Sequence, residues 1–187
     1  MLVAITGTIG SGKTYILKQI HNLYNYDVFS ADDFVKDSYH DENIKQELHK
    51  VFNCLVDGKV DKNIIKFKLN DENILKLNQI IHPFVIEKIK QLKITYQNSL
   101  AFIEVPLLYE CNLETLFDKV IAISIDDKLR HQRLQNRNAK AFQEMLLLEK
   151  KQFDNKQKCQ KADYILYGSE NDVATLEQLN DIINKIN

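Results

Sequence analysis

At 187 residues, with 44% hydrophobic and 27% charged side chains, the chain has the size and composition of one soluble domain with a real core. A formal net charge of −1 gives no global field for nucleic acid or an anionic membrane, so an anionic ligand must be gathered by local charge. No apolar run reaches the roughly 18 residues a membrane helix needs, and the strand-like segment just after Met1 leaves no room for a signal peptide, so a cytoplasmic protein is expected.

"LVAIT" (2–6) is a short β-branched run ending at a glycine and is predicted to be a buried strand. "KTYILKQIHNLY" (13–24) follows with apolar residues at helical spacing. "DVFSA" (27–31) is a second strand, and "DDFVKDSY" opens a helix with acids in its first turn. From 41 to 97 the chain reads as helical and rich in Lys and Asn, without a clear strand. Within it "NIKQELHKVFNCL" and "PFVIEKIKQLKITY" are amphipathic, and Pro83 suits the first turn of the latter helix, with His82 just before it. "LAFIEV" (100–105) is a third strand stopped by Pro106, and "KVIAISI" (119–125) a fourth. "DDKLRHQRLQNR" is a helix, "ADYILY" (162–167) a fifth strand, and a closing helix runs from about 171 to 186. Alternating strands and helices predict an α/β fold, a five-stranded parallel sheet flanked by helices. The core is expected at about 1–35 and 98–187, with a helical insertion at about 36–97. The cysteines Cys54, Cys111 and Cys159 show no metal-ligand spacing and read as reduced thiols.

The chain has only five glycines, and Gly7, Gly10 and Gly12 fall within six residues. Gly7-Thr8-Ile9-Gly10-Ser11-Gly12-Lys13-Thr14 matches G-x-x-x-x-G-K-[ST], the phosphate-binding loop, between a predicted strand and a predicted helix. Backbone amides of such a loop form an anion nest at a helix N-terminus. Lys13 is expected to reach the β- and γ-phosphates, and Thr14 Oγ1 to ligate Mg²⁺. This establishes nucleoside triphosphate binding but not the reaction, because GTPases, ATPases and small-molecule kinases share the loop. The base-reading N/T-K-x-D element of GTPases is absent.

Strand two ends in "SADD", which puts Asp32 at the carboxyl edge of the sheet, the usual ligand crevice of open α/β folds. An acid there can accept a hydroxyl proton or help hold Mg²⁺ through water; helix N-capping is the other use open to Asp32 and Asp33. Lysine supplies nearly all the positive charge. The three arginines, Arg130, Arg133 and Arg137, sit at intervals of three and four on one helix face. Guanidinium forks suit oligophosphates, and a solvated basic face is the alternative. "NAKAFQEMLLLEKKQF", within a lid expected at about 137–158, could fold over nucleotide and exclude water.

With these residues in place the chain resembles the dephospho-coenzyme A kinases. "TGTIGSGKT" is similar to that family's "TGGIGSGKS". "SAD" (30–32) is similar to its "DAD", with Ser30 in place of the first Asp. "IIHPFV" (80–85) resembles its "HP" motif and "EVPLLYE" (104–110) its "PLLFE". "RLQNR" (133–137) resembles its R-x-x-x-R element, and Gln152 and "KADYIL" (161–166) fall at the expected distances. The resemblance implies a P-loop kinase fold, a helical acceptor-binding insertion and a lid. It also implies transfer of the ATP γ-phosphoryl group to the 3′-hydroxyl of dephospho-coenzyme A, the last step of coenzyme A synthesis. The implied catalytic residues are Asp32, Lys13 and Arg137. ATP would be bound by Gly7, Ile9, Gly10, Ser11, Gly12, Lys13, Thr14, Tyr15 and Arg137. The acceptor would meet His82, Pro83, Leu107, Leu108, Glu110 and Lys62. Mg²⁺ would sit on Thr14, with Asp32 or Glu104 acting through water. The partners are then two small molecules, ATP and dephospho-coenzyme A, with no nucleic acid or membrane, and a monomer is favoured. Gly168 departs from the family's usual Asn where adenine is met, Lys62 from its usual Arg, and Arg130 from its usual Gln.

Overall fold

The computed structural model describes residues 1–137 and 152–187, with the side chain of Arg137 outside the description. The chain divides into two compact units, one of residues Met1–Phe29 with Lys93–Asn187, the other Ser30–Leu92.

The first unit is built on a five-stranded sheet. Its strands are β1 (Leu2–Thr6), β2 (Asp27–Ser30), and, after the second unit's short β3 and β4, β5 (Ala101–Glu104), β6 (Lys119–Ile125) and β7 (Tyr164–Gly168). The spatial order is β2-β5-β1-β6-β7. β1 runs parallel to β5, with Ile5 opposite Glu104, and parallel to β6, with Thr6 opposite Ala122; β6 and β7 are parallel as well. All five residues of β1 are buried. An apolar strand with no polar alternation is what a parallel sheet covered on both faces demands. Val3 and Ile5 pack with Phe102, Ile121 and Ile123. Ile16, Leu17 and Ile20 of α1 (Lys13–Tyr24) join this cluster, as do Leu179, Ile182 and Ile183 of the closing helix (Asp172–Ile186). Burying each such side chain contributes about 1.5–3 kcal/mol. α1 stops at Asn25, which takes φ 55° and returns its amide to His21 O, a left-handed cap that Asn tolerates.

The second unit contains α2 (Ala31–Ser38), α3 (Glu42–Phe52), β3 (Leu55–Val56), β4 (Lys59–Val60), α4 (Lys62–Phe67) and most of α5 (Asp71–Thr95). Asp41 starts α3 by accepting from the amides of Asn43 and Ile44. Ile44, Leu48 and Phe52, at i, i+4 and i+8, pack with Cys54 and Ile65 in a core of their own.

Two expectations for this stretch are corrected. A strand pair is present: β3 and β4 are antiparallel around Asp57 and Gly58, both at positive φ, the Asp-Gly hairpin chemistry that two-residue strands conceal from periodicity. Pro83 also does not open a helix. It lies inside the 25-residue α5, which runs through it with Ile81, Val85 and Ile89 buried at four-residue spacing. Among the described residues, the remaining helices of the first unit are α6 (Asp127–Arg137), α7 (Asn155–Lys161) and the closing α8 (Asp172–Ile186), with a 3₁₀ turn at Glu114–Leu116. α7 begins with a capping box between Asp154 and Gln157.

Candidate active site

The loop between β1 and α1 owes its shape to its glycines. Gly10 stands at φ +81°, and a Cβ there would come within 2.7 Å of Leu134 Cγ; a Cβ on Gly7 would lie 2.9 Å from the carbonyl of Ile123. Gly12 caps α1 without any side-chain hydrogen bond, so no side chain caps the first helical amides. Lys13 is 7% exposed, and its Nζ donates to the carbonyls of Gly7 at 3.0 Å and Thr8 at 3.1 Å. The Ser11 amide also donates to Thr8 O. The buried hydroxyls of Thr6, Thr8 and Ser11 have no hydrogen-bond partner among the described residues. Carbonyls tied back, helical amides uncapped and hydroxyl donors uncommitted together make a cup that suits an anion.

Beside the cup, Thr14 Oγ1 donates to Glu104 Oε2 at 3.1 Å. The sheet register accounts for this, because Glu104 ends β5 opposite Ile5 of β1. A hydroxyl and a carboxylate are the hard oxygen donors that Mg²⁺ takes. Among the described residues no group of three His, Cys, Asp or Glu side chains could hold a metal by itself. The pair therefore fits an ion that keeps most of its waters and shares phosphate oxygens. Asp32, the other acid expected near the metal, is exposed in the first turn of α2. Neither Asp32 nor Asp33 caps that helix. Ser30 holds the cap position without a side-chain bond, and Asp33 pairs with Lys36 at 2.6 Å.

Along α6 the three arginines do not share one task. Arg130 is 2% exposed, braced on Asp127 and on the carbonyl of Ile9, which corrects its expected place on a phosphate-facing or solvated surface. Arg133 donates to Ser169 O at 2.8 Å, in the turn between β7 and α8. The Arg137 side chain, and the stretch of the expected lid up to residue 151, lie outside the described residues. Tyr15 lies among the same groups. Its phenol is pushed up by burial, then by the charge of Asp172 and a hydrogen bond to it, with Arg133 opposing. A Cβ on Gly168 would meet Ser124 O at 3.6 Å and the Ile125 side chain at 3.7 and 3.8 Å, all ordinary contacts, so space does not demand glycine there.

The expected acceptor residues are placed differently. Leu107 is 43% exposed but Leu108 is fully buried, a core residue and not a lining one. Glu110 is engaged in the fold. Its Oε1 accepts from the Phe153 amide at 2.7 Å and from Lys158 Nζ at 2.9 Å, while Lys158, fully buried, donates also to Pro106 O at 2.6 Å. Lys62 opens α4 after the Asp61 cap, and its ammonium stands 4.6 Å from the centroid of the Tyr39 ring. His82 is half-buried within α5, and that desolvation lowers its pKa below 6.5.

Comparison with known proteins decides the family. A model of the family described as dephospho-CoA kinase matches residues 1–175. The chain belongs to the dephospho-CoA kinase family. A dephospho-CoA kinase of Rickettsia bellii is 30% identical over 184 residues, 98% of this chain and 96% of the relative. A crystal structure of a Thermus thermophilus protein superposes with a TM-score of 0.84 at 24% identity, covering 100% of this chain and 98% of that one. The dephospho-CoA kinase from Campylobacter jejuni gives 0.66 at 24% identity, covering 99% and 96%. These likenesses fix the P-loop kinase fold expected from the sequence. Two structural links were not read from the sequence: the Arg130 brace on the phosphate loop and the Lys158–Glu110 pair. Both join residues tens of positions apart, and only the motif positions of Glu110 and Arg130 drew attention to them.

Proposed function

We propose that the chain moves the γ-phosphoryl group of ATP to the 3′-hydroxyl of dephospho-CoA, with residues 7–14 gripping the triphosphate. The observation that carries this reading is the loop itself: Lys13 ties back two carbonyls beside an α1 start that no side chain caps. On this reading Lys13 exchanges those carbonyls for β- and γ-phosphate oxygens. The acceptor oxygen bonds to the γ-phosphorus, the bond to the β,γ-bridging oxygen breaks, and ADP leaves with that oxygen. Asp32 takes the hydroxyl proton. Its support is local, an exposed carboxylate with no hydrogen bond among the described residues, directly after the end of β2. Thr14 and Glu104 would hold Mg²⁺, which when bound spreads the charge of the phosphate tail. Phosphoryl transfer passes through a loose transition state, so positioning and charge outweigh basicity. Arg137 would add positive charge over the phosphates, and Tyr15 would flank the nucleotide.

No described helix is long and apolar enough to cross a membrane, and both proposed substrates are water-soluble. We place the reaction in the cytoplasm, on a single chain. ADP release coupled to an optical readout, with and without dephospho-CoA, tests the proposal. Release is expected only when ATP, Mg²⁺ and acceptor are all present. In Asp32→Asn, kcat is expected to fall by about 10²–10⁴-fold with the KM for dephospho-CoA nearly unchanged. Undiminished turnover in that variant would remove Asp32 from its role.

A further inference from the structure

Arg130 is sealed from solvent, yet it touches the crest of the phosphate loop. Its Nη1 donates to Ile9 O at 3.3 Å, while Nε and Nη2 both rest on Asp127 Oδ1 at 3.1 and 2.9 Å, and Nη2 lies 3.2 Å from His131 Nε2. Lys13 already holds the carbonyls of Gly7 and Thr8. Three consecutive carbonyls, 7, 8 and 9, therefore each receive a cationic donor. The described chain has no cis peptide, and in a planar trans peptide the N–H points opposite the C=O. Fixing those three oxygens turns the amides of Thr8, Ile9 and Gly10 the other way, the arrangement of an anion nest. The peptide in most need of holding is Ile9–Gly10, because Gly10 carries no Cβ to penalise a flipped conformation.

We infer that Arg130 is a positioning residue that locks the Ile9–Gly10 peptide with the Gly10 amide toward the triphosphate. The inference rests on the reading that this loop binds ATP. It also divides the labour between the two cations. Lys13 leaves its carbonyls to meet phosphate, and Arg130, fixed by Asp127, keeps the loop shaped while it does so. Neighbouring residues of α6 support the same loop: Leu134 lies under Gly10, and Arg133 Nη1 would be 3.7 Å from a Cβ on Gly12.

The test uses the full chain labelled with ¹⁵N-glycine, which yields signals from only five residues, Gly7, Gly10, Gly12, Gly58 and Gly168. Arg130→Gln, Arg130→Lys and Asp127→Asn are compared with the parent for ATP affinity by calorimetry, for steady-state kinetics and for the glycine amide spectrum. Loss of a charge-assisted hydrogen bond predicts a rise of about tenfold or more in the ATP Kd of Arg130→Gln. KM for ATP rises with it, KM for dephospho-CoA stays, and the Gly10 signal shifts or splits while those of Gly58 and Gly168 do not. Arg130→Lys and Asp127→Asn show smaller changes in the same direction. The inference is overturned if folded Arg130→Gln keeps the parental ATP affinity and Gly10 signal, even where its melting temperature falls. If that variant does not fold, unchanged affinity and an unmoved Gly10 signal in both milder variants overturn it. Failure of the parent chain to bind ATP is a separate result, which removes the underlying reading.

Discussion

Lys13 and Lys158 are both nearly sealed from solvent, and each holds the loop that follows a central strand. Lys13 spans two backbone carbonyls after β1, whereas Lys158 spans the Pro106 carbonyl and the Glu110 carboxylate after β5. Carbonyl dipoles can be exchanged for phosphate oxygens at little electrostatic cost. A buried lysine that left Glu110 would strand an uncompensated charge. The loop after β1 is thus built to change partners, and the loop after β5 is built to stay fixed.

Replacing each lysine separates the two designs. Lys13→Met is expected to lower kcat/KM by about 10²–10³-fold with little change in the unfolding midpoint, as for loss of a transition-state charge contact. Lys158→Met is expected to cost about 3–5 kcal/mol of stability, measured by urea unfolding, because Glu110 is left buried without its partner. The folded fraction should retain its turnover. The double variant Lys158→Met/Glu110→Leu should recover much of the loss. A raised KM for dephospho-CoA in Glu110→Gln, with unchanged stability, would return Glu110 to the acceptor site and break the contrast.

Glycines sharpen it at smaller amplitude. Gly10→Ala must accept φ +81° and a Cβ at 2.7 Å from Leu134 Cγ. A cost of about 1–3 kcal/mol is expected, with weaker ATP binding, in chemical denaturation and calorimetry. Gly168→Asn meets only ordinary contacts and should change stability by less than about 0.5 kcal/mol. Any gain in its ATP affinity would report a new contact of this side chain to the nucleotide.

Much of this architecture was legible because the signals were local. The β-branched run of β1 and the spacing of α1 need only their own residues to be read, and the phosphate loop announces itself by backbone shapes that glycine alone takes cheaply. Legibility failed where distant residues decide. Pro83 looks like a helix start because proline suits the first turn, yet packing of Ile81, Val85 and Ile89 carries α5 through it. The Asp57-Gly58 turn was passed over because strands of two residues show no alternation. Helical spacing put Arg130 and Arg133 on one face, but not what that face meets: Ile9 and Ser169, 121 and 36 positions away. Glu110 was recognised by its motif, whereas its partner Lys158 lies in a lysine-rich stretch that looks solvent-facing.

His82 offers the gentlest test of the same contrast. If it met acceptor phosphates as a cation, acid would strengthen acceptor binding. Burial instead lowers its pKa below 6.5, which favours the neutral ring in the folded chain. The sign follows from linkage. Above pH 6.5 both states are neutral at this residue and its contribution is fully present. As the pH falls from 6.5 through the lower folded value, the unfolded chain binds the proton first and stability is lost. His82→Gln should therefore flatten the pH dependence of the urea midpoint as the pH falls below 6.5, without altering it near pH 8. A KM for dephospho-CoA that falls with acid in the parent, and no longer does so in His82→Gln, would show the charged ring at work. His82 would then belong with Lys13 among groups that change partners.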